Sequence, residues 1–510
     1  MTKTGYLGID AGTQGLSVVF TSEQLEVIAT GDGSYDMVPD LEEGCYEQNP
    51  EDWLTALKMA MSDLRGKVGD DLQVLAIGVS GQMHGEVLSD ENGKPVGSVR
   101  LWCDSRNADE ETELTQSLGV KMPKRITAAR WLWTTRNQPQ KAIAARHLTT
   151  PAGWLSFQLT GQWNLGIGDA AGMFPIDQAT LDFDKKLLSK FDSLVGHDFK
   201  SLSELLPAVR KAGEEAGSLS SCGADLLGLP AGIPVAAAEG DQPAALAGSL
   251  IGEAGVVSCS FGTSVCANSV GDRAFAGVDK AVDHFCAADG KPINMVWLRN
   301  GTTYMNTIVE MFGDALDGDR SAGFQAVIPK VLEATEDCGG LLALPYMDDE
   351  PGLGVARGGT AMLIGLNPQN ATAGNAVKAA LLSTMFNLRL GSEVLDQQGF
   401  PRTELVLSGG LARSPGLAQI LADVFSTPVT LLASAEEGTA WGAALMACYR
   451  HRKIQGEALD WSSFLAEQRS GNQMKIEPNS ESAAKYDAVY QRYRKLMESH
   501  SSIDASVEAP

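Results

Sequence analysis

Two segments far apart in the chain share one local pattern, which is an apolar run, a Gly-Thr turn and a second apolar run. The first is YLGIDAGTQGLSVVF at 6–20 and the second is GVVSCSFGTSVCANSV at 255–270. β-Branched and aliphatic residues on both sides of a Gly-containing turn predict a β-hairpin in each segment. Because the two hairpins lie about 250 residues apart, the pattern predicts an internally duplicated fold with one copy in each of two domains.

The length of the chain agrees with two domains, since 510 residues are more than one hydrophobic core usually spans. We expect the boundary near 248–255, just before the second hairpin, which gives domains over 1–250 and 251–480. After about residue 471 the sequence becomes polar. There we expect a C-terminal segment, 481–510, made of one helix over 482–499 and a flexible tail.

Other elements can be placed between the hairpins. Short apolar runs at 74–80 (VLAIGVS) and 405–408 (LVLS) predict strands that each end in a Gly-containing loop. Helical spacing of apolar residues predicts helices over 50–65, with Asn49 as the cap, and over 376–390.

The charge and the cysteines restrict the partners and the compartment. The formal net charge is −24, and a surface so acidic argues against nucleic acid and anionic membranes as partners. The eight cysteines include no Cys-x-x-Cys pair, which argues against a zinc site or a disulfide framework. No apolar run approaches the ~20 residues that span a bilayer, and the N-terminus shows no signal segment. We therefore expect a cytoplasmic location.

The first Gly-Thr turn, DAGTQG at 10–15, carries an acidic residue at the end of a strand. Free backbone N–H groups in such a turn can bind phosphate oxygens, while the carboxylate of Asp10 holds magnesium directly or through water. The alternative is an ordinary hairpin closure, which Gly-Thr also makes. The second turn, FGTS at 261–264, is where a facing phosphate loop would lie.

A third Gly-rich turn, SGGLARS at 408–414, follows an apolar strand. Glycine has no side chain, so the backbone there can approach a flat adenine or a ribose. The alternative is a plain connection between a strand and a helix.

Asp241 lies in a Gly-flanked turn, EGDQPAALAG at 239–248. A carboxylate placed there can accept the proton of a hydroxyl to which a phosphoryl group is transferred. Asp is also a frequent helix cap, so both readings stay open from this segment alone.

Two further clusters suit a polyhydroxylated ligand. SGQMHG at 80–85 directly follows a predicted strand, and strand ends in α/β folds are where ligands bind. His84 could still be structural, as a lone histidine often is. LWCDSR at 101–106 adds an aromatic ring, a carboxylate and a guanidinium, although Asp104 and Arg106 could instead pair with each other to order a loop.

Taken together, these motifs resemble those of the FGGY carbohydrate kinases along nearly the whole chain, and within that family they are most similar to the xylulokinases. The segments that carry the resemblance are 8–15, the Gly-Gln-Met-His-Gly motif at 81–85, Leu-Trp-x-Asp-x-Arg at 101–106, Asp-Ala-Ala-Gly at 169–172, 240–248, Gly-Thr-Ser at 262–264, 408–415 and Gly-Ala-Ala at 442–444.

The resemblance implies an α/β fold of two actin-like, ribonuclease-H-like domains with a cleft between them, and ATP and Mg²⁺ as cofactors. It implies that Asp241 is the catalytic base and that Asp10 is associated with the metal. The nucleotide-binding residues implied are Thr13, Gln14, Gly262, Thr263, Gly409, Gly410 and Ser414. The sugar-binding residues implied are Met83, His84, Gln242, Trp102, Asp104 and Arg106.

The implied reaction is phosphorylation of a small sugar, with D-xylulose converted to D-xylulose 5-phosphate as the first expectation. The chain departs from the xylulokinase pattern at three places: Gln14 and Ser17 replace the usual Ser and Lys of the first loop, Cys103 replaces Asn, and Gln242 replaces Asn. Kinases for ribulose, erythritol or glycerol therefore remain alternatives. A sugar or nucleotide sensor without turnover and an actin-like ATPase with a protein partner are the alternatives from other classes. Relatives often dimerise, so a homodimer is expected by analogy.

Overall fold

The computed structural model describes residues 2–69, 71–196, 198–314, 320–432, 438–469 and 473–500. The flexible tail predicted over 501–510 lies outside the described residues.

The N-terminal half alternates strands and helices. Its strands are β1 (Lys3–Ala11), β2 (Gly15–Ser22), β3 (Val27–Ser34), β4 (Glu47–Gln48), β5 (Leu72–Gly81), β6 (Val87–Ser89), β7 (Val99–Arg100), β8 (His147–Thr149), β9 (Asn164–Gly166), β10 (Ile176–Asp177), β11 (Asp182–Phe183), β12 (Ala208–Arg210) and β13 (Glu239–Gly240). Its helices are α1 (Pro50–Val68), α2 (Ala108–Leu118), α3 (Thr127–Asn137), α4 (Pro139–Ala144), α5 (Pro151–Thr160), α6 (Ile167–Met173), α7 (Lys185–Val195), α8 (Leu202–Leu205), α9 (Ser221–Leu227) and α10 (Asp241–Gly248).

The C-terminal half begins with the second hairpin. Its strands are β14 (Val256–Phe261), β15 (Val265–Val270), β16 (Val282–Cys286), β17 (Pro292–Leu298), β18 (Leu342–Leu344), β19 (Met362–Ile364), β20 (Glu404–Gly409), β21 (Val429–Leu432) and β22 (Gln473–Ile476). Its helices are α11 (Thr303–Asp314), α12 (Arg320–Glu333), α13 (Ala373–Gln397), α14 (Pro415–Phe425), α15 (Gly438–Ile454), α16 (Trp461–Arg469) and α17 (Ser480–Glu498). Short 3₁₀ turns lie at Cys338–Gly340, Pro351–Leu353 and Gly410–Arg413.

The two main sheets repeat one topology. In the described residues the first sheet has the order β13-β5-β1-β2-β3, with β1, β2 and β3 antiparallel and β5 and β13 parallel to β1. The second sheet contains β21-β20-β14-β15-β17 with the same directions, and β16 and β22 extend its edges. Both predicted hairpins are present, and the internally duplicated α/β fold is confirmed.

Each half has its own apolar core, and a third cluster joins the halves. In that third cluster α15 lies against β1 and β5 at backbone contact. A Cβ added to Gly8 would lie 1.9 Å from the carbonyl oxygen of Ala440, and one added to Gly78 would lie 1.9 Å from that of Ala443. Only glycine fits at these two strand positions. The close packing brings the start of a C-terminal helix to the edge of the N-terminal sheet.

The predicted helices exist but are longer than expected. The helix expected over 50–65 is α1, and Asn49 stands at its N-cap position without a side-chain cap hydrogen bond. The helix expected over 376–390 is α13, which continues through Gly391. A Cβ added to that glycine would lie 2.9 Å from Cγ1 of Val296. It is therefore a packing position inside the helix.

None of the helices in the described residues combines the length and the apolar character that crossing a membrane requires. Within the same residues all eight cysteines are free thiols, as the absence of a disulfide pattern predicts.

Candidate active site

Three strands of the first sheet end side by side, and each carries a polar residue to the same edge. In the register of the sheet Asp10 on β1 pairs with Ser80 on β5, and Glu239 on β13 pairs with Ser80 from the other side. Asp241 follows immediately as the first residue of α10. Because carboxyl ends of parallel strands are where α/β folds bind ligands, Asp10 and Asp241 lie at the expected place.

The carboxylate of Asp10 is held by two hydroxyl groups. Ser80 donates from Oγ to Oδ1 at 2.6 Å, and Thr439, at the start of α15, donates from Oγ1 to Oδ2. Burial raises the pKa of Asp10, and these two hydrogen bonds oppose the rise. The sequence offered no signal for Thr439, because the contact joins residues 429 positions apart.

Asp241 lies at the N1 position of α10, and Gly240 occupies the N-cap position. Asp241 is thus not the cap that its sequence context allowed. Burial, and next the negative charge of Asp10, raise the pKa of Asp241 to about 7, although backbone N–H groups of Gln242 and Met83 favour the carboxylate. A carboxyl group that titrates near neutrality is suited to exchange a proton with a ligand hydroxyl.

Two further carboxyl groups lie behind Asp241. Thr150 donates to Oδ2 of Asp169 at 2.5 Å, and Glu239 accepts from the backbone N–H of Asp169 at 2.8 Å. Burial raises the pKa of Asp169 well above its usual value and that of Glu239 to about 8. Glu239 is therefore largely uncharged at neutral pH, which limits the negative charge around Asp241.

Met83 and His84 follow β5, on the side of the site next to Asp241, and both side chains are buried. His84 has a left-handed backbone (φ 68°), and its Nδ1 lies 2.9 Å from the carbonyl oxygen of Gly172. Burial, and next the charge of Arg125, lower the pKa of His84 to about 3, so the ring is neutral. Because the carbonyl can only accept, the proton is on Nδ1, and Nε2 keeps a lone pair that can accept from a ligand hydroxyl.

Trp102 lies against the first Gly-Thr turn. Its ring is 43% exposed, and its Nε1 donates to Oγ1 of Thr13 at 3.1 Å. Nε2 of Gln48 donates to the carbonyl oxygen of Thr13 at 2.7 Å and Nε2 of Gln82 donates to Oε1 of Gln48 at 2.8 Å. Thr13 is thereby held between the strand ends and an exposed aromatic face. Gln14 next to it is exposed.

Asp104 and Arg106 pair with each other. The guanidinium of Arg106 lies 2.6 Å from Oδ2 of Asp104, and Arg106 also bridges to Glu47 at 2.5 Å. Asp104 is fully buried and accepts from the backbone N–H of Tyr46 at 2.9 Å. The pair orders the loop that presents Trp102, which is the alternative that the sequence left open.

The second Gly-Thr turn lies on the facing domain. Gly262 and Thr263 are exposed, and their carbonyl oxygens accept from the backbone N–H groups of Thr302 at 2.8 Å and Gly301 at 2.9 Å. A Cβ on Gly301 would lie 2.4 Å from the carbonyl oxygen of Gly262. Gly301 and Thr302 therefore support this turn, and the sequence reasoning did not identify them.

The third Gly-rich turn lies next to the second. Gly409 pairs with Phe261 in the sheet, has φ 81°, and a Cβ on it would lie 3.0 Å from the carbonyl oxygen of Phe261. Gly410 is exposed, and a Cβ on it would meet open space. Ser414 caps α14 by accepting from the backbone N–H of Leu417 at 3.4 Å. The turn thus offers an open backbone surface on the C-terminal domain.

The described residues contain no group of three or more His, Cys, Asp or Glu side chains able to hold a metal by themselves. The negative charge of Asp10, however, raises the pKa of Asp241, and a cation between the two groups would offset that repulsion. Mg²⁺ usually takes one or two carboxylates and completes its shell with phosphates and water. The two carboxyl groups fit such an ion.

The whole chain is similar to known kinases of one family. The N-terminal domain of the FGGY family of carbohydrate kinases matches residues 5–248, and the C-terminal domain of the same family matches residues 257–451. A xylulose kinase of Haemophilus influenzae is 26% identical over 506 residues, which cover 96% of this chain and 98% of the relative. One of Streptomyces coelicolor is 30% identical over 458 residues, covering 86% and 87%.

Solved structures share the fold over nearly the full length. The xylulose kinase of Rhodospirillum rubrum has a TM-score of 0.84 and 22% identity, covering 98% of this chain and 99% of that chain. The gluconate kinase of Lactobacillus acidophilus has a TM-score of 0.81 and 19% identity, covering 97% and 98%. Since two family domains together match most of its length, this chain belongs to the FGGY family of carbohydrate kinases.

Proposed function

We propose that this carbohydrate kinase transfers the γ-phosphoryl group of ATP to D-xylulose, giving D-xylulose 5-phosphate, with Asp241 as the general base. The observation that carries the proposal is the position of Asp241 at the strand ends, next to Met83 and near Asp10. Burial and the charge of Asp10 raise the pKa of Asp241 to about 7. The names of the relatives support xylulose as the acceptor, and the gluconate kinase among the structural neighbours is the reason to test gluconate beside it.

In the proposed reaction the terminal hydroxyl of the sugar attacks the γ-phosphorus in line. The new O–P bond forms as the bond to the β-phosphate oxygen breaks, and the hydroxyl proton passes to Asp241. Bound magnesium supplies neutralisation of the phosphate charge. Asp10, kept in place by Ser80 and Thr439, is the residue proposed to hold that ion. Positioning and charge neutralisation account for most of the rate in such reactions.

The acceptor pocket is proposed to consist of His84, Met83, Gln242 and Trp102. Nε2 of His84 accepts from one sugar hydroxyl, and the exposed amide of Gln242 can bond another. Met83 and Trp102 pack on the carbon faces of the sugar. The resemblance places Asp104 and Arg106 at the sugar. In this proposal they act indirectly, by ordering the loop that carries Trp102, because they form an ion pair with each other.

The nucleotide is proposed to lie between the facing Gly-Thr turns. Thr13 and Gln14 on one domain and Gly262 and Thr263 on the other bind the phosphates through backbone N–H groups and hydroxyls. Gly409 and Gly410 approach the adenosine, and Ser414 lies at the start of the helix that follows. The exposure of both glycines supports this role.

We also propose a location, partners and a domain organisation for this kinase. A cytoplasmic location is supported by the free state of the eight thiols, and the absence of nucleic-acid partners is supported by the net charge of −24. We propose a division into domains at 250/251 with a C-terminal segment from 481, and a homodimer by analogy with relatives.

The test is a coupled assay of ADP release with Mg²⁺-ATP and a panel of ketopentoses, tetritols, glycerol, gluconate and hexoses. We expect selective turnover with D-xylulose. Turnover with another compound alone would replace D-xylulose as the proposed acceptor, and no turnover with any compound would favour a sensor without turnover.

The Asp241→Asn variant should lose about 100-fold or more in kcat while still binding ATP. Turnover within a few-fold of the wild type would remove Asp241 as the base.

A further inference from the structure

A group of charged side chains joins the two domains beside the proposed acceptor pocket. Lys121 and Arg125 lie in the segment between α2 and α3 of the N-terminal domain, and Asp283 lies on β16, at the edge of the C-terminal sheet. Lys121 Nζ is 2.8 Å from Oδ1 of Asp283, and Arg125 donates from Nη2 to Oδ2. We call these three residues the cross-domain cluster.

The cluster is largely removed from water. The side chains of Asp283, Lys121 and Arg125 are 10%, 18% and 23% exposed. Burial by itself would raise the pKa of Asp283, but the charges and hydrogen bonds of Arg125 and Lys121 outweigh it and hold that pKa at about 2. Lys121 also donates to the carbonyl oxygen of Lys280 at 2.8 Å. The carboxylate is thus fully charged and bound from the other domain.

The N-terminal side of the cluster is anchored by a buried arginine. Arg130 donates from Nη1 to the carbonyl oxygen of Arg125 and from Nε to that of Leu101 at 3.0 Å. Its Nη2 reaches the carbonyl oxygen of Trp102 at 2.8 Å. The backbone that carries Arg125 and the backbone that carries Trp102 are therefore held by one side chain.

On the C-terminal side, one aromatic ring connects the cluster to His84. Phe285, two residues after Asp283, has its ring centroid 5.5 Å from the guanidinium carbon of Arg125 and 5.6 Å from the ring centroid of His84. Neighbouring residues of β16 pack against α6, the helix that ends next to Gly172. Any shift of β16 away from the N-terminal domain would consequently separate the ring of Phe285 from the ring of His84.

We propose that the cross-domain cluster is a positioning device: Arg125 and Lys121 hold Asp283, and with it Phe285, against His84, so that the C-terminal domain completes the wall of the acceptor pocket. The inference rests on the proposed acceptor site at Met83 and His84. It predicts that the ion pairs set the affinity for the acceptor far more than the binding of ATP or the chemical step.

The kinetic experiment compares Asp283→Asn, Arg125→Gln and the double variant with a control. The control is Glu113→Gln, which removes a 2.8 Å ion pair to Arg136 that lies within the N-terminal domain. We expect the acceptor KM to rise by about tenfold in each single variant, as for the loss of a partly buried charge pair. The double variant should be no worse than the single ones, kcat and the ATP KM should stay within about threefold, and Asp283→Glu should recover part of the loss.

An unchanged acceptor KM in both single variants, or additive effects in the double variant, would overturn the proposal. Equal increases in the acceptor KM and the ATP KM together with an equal decrease in kcat would also overturn it, because they indicate a merely structural role. If Asp283→Asn does not fold, Arg125→Gln and Lys121→Met carry the same test from the N-terminal side.

A second measurement needs no sugar and separates this inference from the proposed function. Small-angle scattering of the ligand-free proteins should give a larger radius of gyration for Asp283→Asn than for the wild type and Glu113→Gln, since the domains lose a bond that holds them together. If Asp283→Asn has the larger radius of gyration but the wild type phosphorylates none of the acceptors, the role of the cluster in holding the domains together stands and the proposed reaction is rejected. An identical profile in all three proteins would reject the cluster.

Discussion

The two carboxyl groups at the strand ends differ in how their oxygens are held. Both oxygens of Asp10 accept from hydroxyls of Ser80 and Thr439, whereas Asp241 is supported by backbone N–H groups of Gln242 and Met83 and is opposed by the charge of Asp10. Asp10 is therefore the more firmly held carboxyl group, and Asp241 is the group whose protonation changes near neutral pH.

This difference predicts a proton release that can be measured without turnover. At pH 7 about half of the Asp241 side chains should be protonated in the ligand-free enzyme, because the pKa is raised to about 7. A cation bound nearby favours the carboxylate, so binding of Mg²⁺-ATP should release about half a proton per site at this residue. Calorimetry in buffers of different ionisation enthalpy measures the release, and Asp241→Asn should lack it. An equal release by the variant would contradict the assignment.

His84 predicts a loss of stability in acid. Its pKa is about 3 in the folded protein and near 6.5 in an unfolded chain. A lowered histidine pKa means that the contribution to stability is complete above pH 6.5 and is lost as the pH falls from 6.5 towards 3. At pH 5 the loss should be about 2 kcal/mol. Urea unfolding at pH 7 and pH 5 should show a smaller decrease for His84→Asn than for the wild type, and equal decreases would refute the prediction.

At the scale of elements, the contact of α15 with β1 and β5 connects packing to the site. The helix lies so close to the sheet that Gly8 and Gly78 have no room for a side chain. Gly442 on the helix is equally confined, since a Cβ there would lie 2.0 Å from the carbonyl oxygen of Ala244. The first turn of α15 contains Thr439, so the depth of this packing sets the hydrogen bond to Asp10.

Gly78→Ala should displace α15 and lower the free energy of unfolding by about 2 kcal/mol or more, as expected for an overpacked core. It should also raise the magnesium concentration needed for half-maximal turnover, because Thr439 moves away from Asp10. The control is Gly66→Ala, at a helical position of α1 where a Cβ would meet nothing within 4 Å. That change should stabilise the protein by about 0.5–1 kcal/mol. Thermal unfolding and a magnesium titration of both variants make the comparison.

At the scale of the whole molecule, the duplicated sheets place one Gly-Thr turn on each side of a cleft. The turn at Gly12–Thr13 belongs to β1 and β2, and the turn at Gly262–Thr263 belongs to β14 and β15. A ligand that bonds both turns gains contacts only when the domains approach each other. Closure also excludes water, which would otherwise compete as the phosphoryl acceptor.

Binding of Mg²⁺-ATP and the acceptor should therefore reduce the radius of gyration of the protein in solution. The Asp241→Asn variant should close to the same extent, because it removes the base and keeps the contacts of the two turns. Small-angle scattering with and without ligands measures the change. A radius that stays the same in the wild type with both ligands bound would contradict a closing cleft.

A large part of this molecule follows from short stretches of sequence. Both hairpins, the duplicated α/β topology and the family were predicted correctly from Gly-Thr turns flanked by apolar strands and from ordered motifs. The ends of helices were less accurate: α13 continues beyond the predicted end to Gln397, and Gly391 inside it lies close to Val296. Sequence pattern detects periodicity but not the neighbour that makes a glycine necessary.

The sequence by itself determined the turns, the strand ends and the residue types at the site, because turn conformation and strand pairing within a hairpin depend on residues that are neighbours in the chain. The tertiary structure alone decided which distant residues meet: Thr439 and Asp10, Arg125 and Lys121 with Asp283, and Gly301 beneath the turn at Gly262. These contacts join residues from about 40 to over 400 positions apart. Their formation depends on the packing of helices and domains, and no local pattern encodes that packing.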